Sequence, residues 1–295
     1  MSEAATMQVF RAQVVRVTDV SPSLRRIVFG GEGLAGFRST GVGDEYLRIM
    51  VPAAGKSEPV LPKVVDGALD YGSTDLGLLR TYTVRDVDPR AGEVSIDFVL
   101  HAHGVVTGWA RVAAPGDVVG MNSPTSLYSP PEGLTWQILL ADDAGLPALA
   151  RLLELTPAGV RSRVIVEVPD ESHRIPLAGG ADVTWLSGGN GATASHLEEA
   201  LRSLPRPSGG VGYTWVAGES RTLRGIRRHL RHELGLAATQ YKVVGYWTDH
   251  AEEWRARYEA LDDATRRSLD ALWASDRDEA EIEEEYDRRL VELGL

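Results

Sequence analysis

The hexapeptide RTYTVR, residues 80–85, places two guanidinium groups, a phenol ring and two threonine hydroxyls in alternation. In an extended strand Arg80, Tyr82 and Val84 project to one face, and Thr81, Thr83 and Arg85 to the other. A fixed positive charge then stands two residues from an aromatic face, with the Thr83 hydroxyl directly after the ring. GVVTGWA, residues 104–110, reads as the start of a short helix. Gly104 permits close backbone approach, Val105 and Val106 open the turn, Thr107 adds a hydroxyl and Trp109 an aromatic ring. The exposed N–H groups of such a helix start form an anion site. His101 and His103 lie just before it.

A second group of chemistry-bearing residues lies further along. ADDAGLPALAR, from Ala141, spans a strand-to-helix turn, the position where nucleotides bind in open parallel sheets. Asp142 and Ala144 sit in this turn, and Asp142 can also cap the helix. AGES, residues 217–220, follows the strand YTWV, and the helix it opens carries Arg221, Arg224, Arg227, Arg228 and Arg231. Gly218 and Glu219 form that turn, and Arg221 and Arg224, nearest the helix start, are the preferred pair for phosphates or an anionic chelate. VVGYW brings Tyr246 and Trp247 to the end of the last strand, while Lys63 in a long loop and Lys242 are further cations.

Several chemistries are excluded. With zero cysteines there is no disulfide, thiolate-bound zinc, thiolate-ligated cluster or cysteine nucleophile. No GxGxxG occurs in the second domain, no GxSxG occurs in the chain, and no His/Asp/Glu group has metal-ligand spacing. The net charge of −11 argues against nonspecific nucleic-acid binding. Residues 249–295 hold 16 acids and 7 Arg/Lys, so the acidity belongs to the tail. No apolar run approaches the ~20 residues that cross a bilayer. The opening MSEAATMQVFRAQVV lacks a secretory-signal pattern, and the expectation is a cytoplasmic monomer.

These residues need a scaffold. Residues 8–128 read as short strands separated by turns such as FGGEG, DPRAG and APGD, which predicts a closed or partly closed antiparallel β-barrel. After SPPEGL, residues 129–134, apolar strands alternate with amphipathic helices, predicting a mostly parallel sheet flanked by helices. From residue 251 the chain reads as acidic helix, with Ile282, Tyr286 and Leu290 on one stripe that packs on the body. The expected parts are a barrel over 1–130, an α/β domain over 131–250 and a helical extension over 251–295.

RTYTVR, IDFVLH, GVVTGWA, APGD, LPALARLLE, YTWVAGES and VVGYW, in this order and spacing, resemble the siderophore-interacting proteins, or ferric-siderophore reductases, of the ferredoxin-reductase superfamily. The resemblance covers about residues 8–295. It implies an FAD-binding barrel followed by a domain for NADH or NADPH. Arg80 would pair with the flavin phosphates, Tyr82 stack on the isoalloxazine, and Thr83 bond near its reactive nitrogen. Arg85, His101, His103, Gly104, Val105, Val106, Thr107 and Trp109 would complete the flavin site. Asp142, Ala144, Gly218, Glu219, Arg221, Tyr246 and Trp247 would serve the nucleotide side, and Lys63, Arg224 and Lys242 would attract the ferric siderophore. The family usually has Pro and Ala at Val105 and Val106 in a loop one residue longer, and Thr at Ala144. The implied activity passes electrons from NADH or NADPH through FAD to siderophore-bound iron(III). A ferredoxin-fed reductase of the same architecture, or a non-catalytic ferric-siderophore carrier, is the alternative.

Overall fold

The structure is a computed structural model that describes residues 7–295 except 73, 102–103, 206, 208 and 278, and the side chains of 279–280. His103 lies outside the described residues. The chain forms two compact units: Met1–Tyr128 with Leu146–Gly159 and Asp170–Ala181, and Ser129–Gly145 with Val160–Pro169 and Asp182–Leu295.

The first unit contains β1 (Val9–Asp19), β2 (Leu24–Gly30), β3 (Tyr46–Met50), a small hairpin of β4 (Lys63–Val65) and β5 (Ala68–Asp70), β6 (Leu79–Thr83), β7 (Asp86–Asp88), β8 (Glu93–Val99), α1 (Val105–Val112) and β9 (Val118–Asn122). Its main sheet runs β6-β3-β9-β1-β2-β8-β7, all antiparallel. The two outermost strands, β6 and β7, are consecutive in the chain with only Val84 and Arg85 between them. A sheet whose opposite edges are so joined must curl round, and the Arg85 amide donates to the Ser95 carbonyl of β8 at 2.8 Å. The expected barrel is therefore present, because closure removes unpaired edges. Phe10, Ile27, Phe29, Leu47, Ile49, Ile96 and Phe98 fill it.

On β8 the alternation of Val94, Ile96 and Phe98 with Ser95 and Asp97 does not leave a wet face, since all five are buried. Asp97 is tolerated there because the Arg26 guanidinium donates to both its oxygens, at 2.6 and 2.8 Å.

The second unit carries β10 (Leu134–Asp142); the helix that follows it, α2 (Leu146–Glu154), groups with the first unit. The second unit continues with β11 (Arg161–Val168), β12 (Asp182–Ser187), α3 (Leu197–Ser203), β13 (Val211–Glu219), α4 (Ser220–Arg228), a π-helical turn His229–Glu233, β14 (Tyr241–Trp247), α5 (Ala251–Glu259), α6 (Asp263–Trp273) and α7 (Glu279–Glu292). The sheet order is β12-β11-β10-β13-β14, entirely parallel. From β10 the chain steps outward through β11 and β12, then crosses back to β13 on the other side. The switch point lies between β10 and β13, where open parallel sheets leave a crevice at their carboxyl ends. Ile138, Leu140, Ile165 and Val216 of the sheet pack on Leu197 and Leu201 of α3 and Leu223 and Ile226 of α4.

The acidic tail does pack by its stripe, with Ile282 and Leu290 buried. It also neutralises the arginine face of α4. Arg224 lies 3.3 Å from Asp287, Arg227 pairs with Glu283 at 3.2 Å and with Asp287, and Arg231 is 3.5 Å from Glu281 and from Glu284.

Candidate cofactor and nucleotide sites

In the first unit the chemistry gathers where β6 meets α1. Arg80 Nη1 donates to the carbonyls of Leu76, Gly77 and Leu79 at 3.4, 3.2 and 2.7 Å. No carboxylate of the described residues stands within ion-pair distance of it. Its charge is thus held in place by a 3-10 turn, Leu76–Leu78, without being neutralised. The same turn packs against α1.

Tyr82 is half-buried, its ring centroid 4.4 Å from that of Phe98 at 46°. Burial pushes its phenol well above the ordinary tyrosine range, despite nearby Arg80 and a hydrogen bond with Thr107, so the hydroxyl stays protonated. The Thr107 hydroxyl in turn lies 2.9 Å from His101 Nε2, completing a chain from Tyr82 through Thr107 to His101.

Gly104 is the N-cap of α1, with φ of 115° and no side-chain cap. A Cβ at Gly104 would stand 3.0 Å from His101 Cε1 in addition to the strain of that backbone, so the close approach needs glycine. Val106 is buried in the barrel core while Val105 is exposed, which shows how the turn accommodates valines where proline and alanine were expected. A cavity of about 600 Å³ lies beside α1, lined by Gln13, Pro52, Lys56, Glu58, Trp109 and Val112 among others.

Uncompensated cation, uncapped helix start and aromatic face form a donor set that fits a flavin dinucleotide, with its phosphates and planar ring. Two expected members have partners or burial of their own. Arg85 has its side chain only 11% exposed and is held bidentately by Glu154 at 2.7 and 2.5 Å, with Asp97 3.8 Å away. Its charge stabilises the unit's own packing and is not offered to a ligand. Thr83 is buried at 6% exposure, opposite Tyr46. Trp109 stacks on Phe29 at 6.5 Å and 12° and also lines the cavity.

In the second unit, register places the ends of four strands side by side. Asp142 of β10 is opposite Glu167 of β11, Gly218 of β13 is opposite Gly245 of β14, and Glu219 is opposite Trp247. A crevice of about 200 Å³ opens there, lined by Asp142, Glu167, Asn190, Glu219, Arg221 and Trp247 among others.

Asp142 is buried, and its Oδ1 accepts from the amides of Ala144 and Gly145 at 2.9 and 3.1 Å, while its Oδ2 accepts from Trp247 Nε1 at 2.6 Å. Burial outweighs these three donors, and its pKa is pushed up to about 7. Gly218 makes room for the carboxylate, since a Cβ there would lie 2.9 Å from Oδ2.

The raised pKa has a testable sign. The native state binds this proton more tightly than the unfolded chain, so Asp142 contributes stability that is present below the ordinary aspartate pKa and is lost as pH rises through about 7. The stability gap between wild type and Asp142→Asn, measured by urea unfolding, is expected to be larger at pH 5 than at pH 8. An unchanged or widening gap at pH 8 would contradict the assignment.

Tyr246 packs edge-on to Trp215 at 6.4 Å and is half-buried. The three cations expected at the substrate divide between the two units. Lys63 is exposed on the β4–β5 hairpin of the other unit. Lys242 is the second residue of β14, and a strand rise of about 3.3 Å per residue sets it well back from the crevice at Trp247. Arg224 is engaged by Asp287 and by the Leu295 backbone oxygen at 3.1 Å.

Reading by motif also missed Glu167 and the loop after β12. In that loop Gly188, Gly189, Asn190 and Gly191 all have positive φ. Asn190 Oδ1 accepts from the Asp143 amide at 3.0 Å, and its Nδ2 donates to the Glu167 and Gly188 carbonyls. The run GGNG between a strand and a helix was the available signal.

Comparison with known proteins places these units. Residues 13–128 match the siderophore-interacting FAD-binding domain, and residues 134–250 match the siderophore-interacting protein family. The NADPH-dependent ferric-chelate reductase of Escherichia coli is 30% identical over 79% of this chain and 91% of its own length. The ferric vibriobactin reductase ViuB of Vibrio cholerae is 29% identical over 79% and 87%. Among solved structures, a siderophore utilization protein from T. fusca superposes with a TM-score of 0.76 at 34% identity, covering 83% of this chain and 95% of that one. The helices α5 to α7 lie beyond both family matches.

Proposed function

Because the chain belongs to the siderophore-interacting protein family, we propose that it is a ferric-siderophore reductase, drawing electrons from NADH or NADPH to reduce siderophore-bound iron(III) and release iron(II). FAD, when bound, supplies the conversion between a two-electron hydride and an acceptor that takes one electron at a time. One reduced nicotinamide therefore serves two iron(III) ions and releases one proton. Iron(II) fits a hard, oxygen-rich chelator poorly, so reduction frees the metal.

The observation that carries this reading is the meeting of an un-neutralised Arg80, the half-buried Tyr82 and the uncapped start of α1 in one unit. In this reading Arg80 and the first N–H groups of α1 hold the flavin phosphates, and the ring of Tyr82 lies along the isoalloxazine. The Thr107 hydroxyl, tied to Tyr82 and His101, fixes the phenol's direction. The cavity beside Trp109 receives the remainder of the dinucleotide. Residues 1–130 serve the flavin, 131–250 the nicotinamide, and 251–295 form a helical extension.

The donor is a nicotinamide and not a ferredoxin, a choice supported by the crevice at the β10–β13 switch point with Arg221 on its wall. The chain acts as a monomer in the cytoplasm, where reduced nicotinamides are available. Among the described residues no helix is long and apolar enough to cross a membrane.

An anaerobic absorbance spectrum of the protein supplied with FAD tests the reading. The flavin band is expected to bleach with NADH or NADPH and to return on adding a ferric siderophore. Failure to bind FAD, or a bound flavin that neither nicotinamide bleaches, would overturn it.

A further inference from the structure

Four carboxylates, Asp142, Glu167, Glu219 and Asp249, line the crevice of the second unit, against the single guanidinium of Arg221. Three of the acids have local duties. Asp142 holds the turn after β10 and the Trp247 indole. Glu219 caps α4 by accepting from the Thr222 amide at 2.8 Å, and accepts from the Asp249 amide at 3.2 Å. Asp249 accepts from the His250 amide at 3.0 Å.

Glu167 differs. It is 0% exposed, and its Oε1 accepts from the His196 amide at 2.7 Å, but its Oε2 is buried with no hydrogen-bond partner among the described residues. A buried carboxylate oxygen without a donor is costly, and a ligand bringing an O–H to it removes that cost. Nε and Nη2 of Arg221 on the same crevice wall are likewise buried without an acceptor among the described residues. The loop SGGNGATASH, residues 187–196, which supplies Asn190, Gly191, Thr193, Ala194 and Ser195 to the lining, contains no lysine or arginine, and its one imidazole, His196, has Nδ1 3.4 Å from Glu167 Oε1.

Position adds the ligand's identity. Glu167 is the penultimate residue of β11, the second strand of the sheet in chain order, beside Asp142 in register. In parallel nucleotide-binding sheets an acid at the end of that strand accepts from ribose hydroxyls, whereas a 2′-phosphate requires an arginine nearby. We propose that Glu167 selects the electron donor: its Oε2 accepts from a hydroxyl of the unphosphorylated adenosine ribose of NADH, Arg221 meets the pyrophosphate, and the surrounding carboxylates exclude the 2′-phosphate of NADPH. The inference rests on the nicotinamide-fed reading above. It sets this chain apart from the E. coli relative, whose name specifies NADPH.

Calorimetric titration of the FAD-loaded protein with ADP-ribose and with its 2′-phosphorylated counterpart tests the selection without turnover. ADP-ribose is expected to bind about 10- to 100-fold more tightly, the effect of one charge-assisted contact. Glu167→Gln should reduce that preference to within about 3-fold. Because Glu167 also caps α3, a second variant is placed on an exposed lining residue that caps nothing. Ala194→Arg is expected to gain about 10-fold for the phosphorylated probe. Equal or tighter binding of the phosphorylated probe by wild type, binding of neither probe, or an unchanged preference in both variants would overturn the proposal. Anaerobic bleaching separates the two levels. Faster bleaching by NADPH than by NADH sinks the selection and leaves the reductase reading standing, whereas bleaching by neither removes both.

Discussion

Arg80→Ala is expected to weaken FAD retention by about 10- to 100-fold, the loss of a charge-assisted contact of roughly 1.5–3 kcal/mol. The guanidinium is held by three backbone carbonyls and meets no carboxylate among the described residues, so its positive charge is left for a ligand. Truncation removes that charge while breaking two exposed bonds and one part-buried bond to backbone carbonyls. The apo-protein should therefore unfold within about 0.5 kcal/mol of wild type, as surface substitutions usually do. Absorbance after dialysis reads the outcome directly. Wild-type flavin occupancy in the variant would show that Arg80 does not hold the phosphates, whatever else binds there. Arg80→Lys keeps a charge but loses the planar fork, and should fall between the two.

Arg151→Ala should cost about 3–5 kcal/mol, because it strands a buried carboxylate. Glu45 is 0% exposed, accepts from Ser39 Oγ at 2.5 Å, the Thr40 amide at 2.5 Å and Thr40 Oγ1 at 2.7 Å, and is ion-paired with Arg151 Nη1 at 2.6 Å. Those neutral donors satisfy hydrogen bonds but supply no counter-charge. Arg151 Nη1 also donates to the Val84 carbonyl at 2.5 Å, at the point where β6 hands over to β7. Losing it therefore loosens the strand that carries Tyr82, and flavin loss should accompany the lowered urea midpoint. A double variant, Glu45→Gln with Arg151→Met, should be less destabilised than the sum of its singles, since no unpaired charge remains. Additive costs would mean that the pair is not coupled and that the loss arises from packing alone.

Much of the architecture was legible because it depends on local pattern. Alternation and turn residues give the barrel strands, and the shift to apolar runs with helical spacing marks the parallel sheet. The arginine-rich helix was also visible, but its role was not. Glu281, Glu283, Glu284 and Asp287, which neutralise it, lie about 50 to 60 residues further along the chain and belong to a stretch that reads as an acidic helix with one apolar stripe, with nothing local to pair its acids with those arginines. Arg80 and Arg85 make the same point within one hexapeptide. They are chemically identical in the sequence, yet Glu154, 69 residues away, takes Arg85 and leaves Arg80 to the carbonyls of its own turn.

The order of residues alone says which side-chain chemistries are present and which elements carry them: a cation, a ring and a hydroxyl on one barrel strand, a glycine at a helix start, acids and an arginine near strand ends, and no thiol. Which of these groups are already partnered is set by the folded chain. Secondary structure follows from residues a few positions apart, but the neutralisation of a charge depends on groups brought together from distant parts of the chain. The same holds for Glu167. Its place at a strand end is written in the sequence, while the burial of Oε2 without a donor arises from the packing of β11, the GGNG loop and α3 around it.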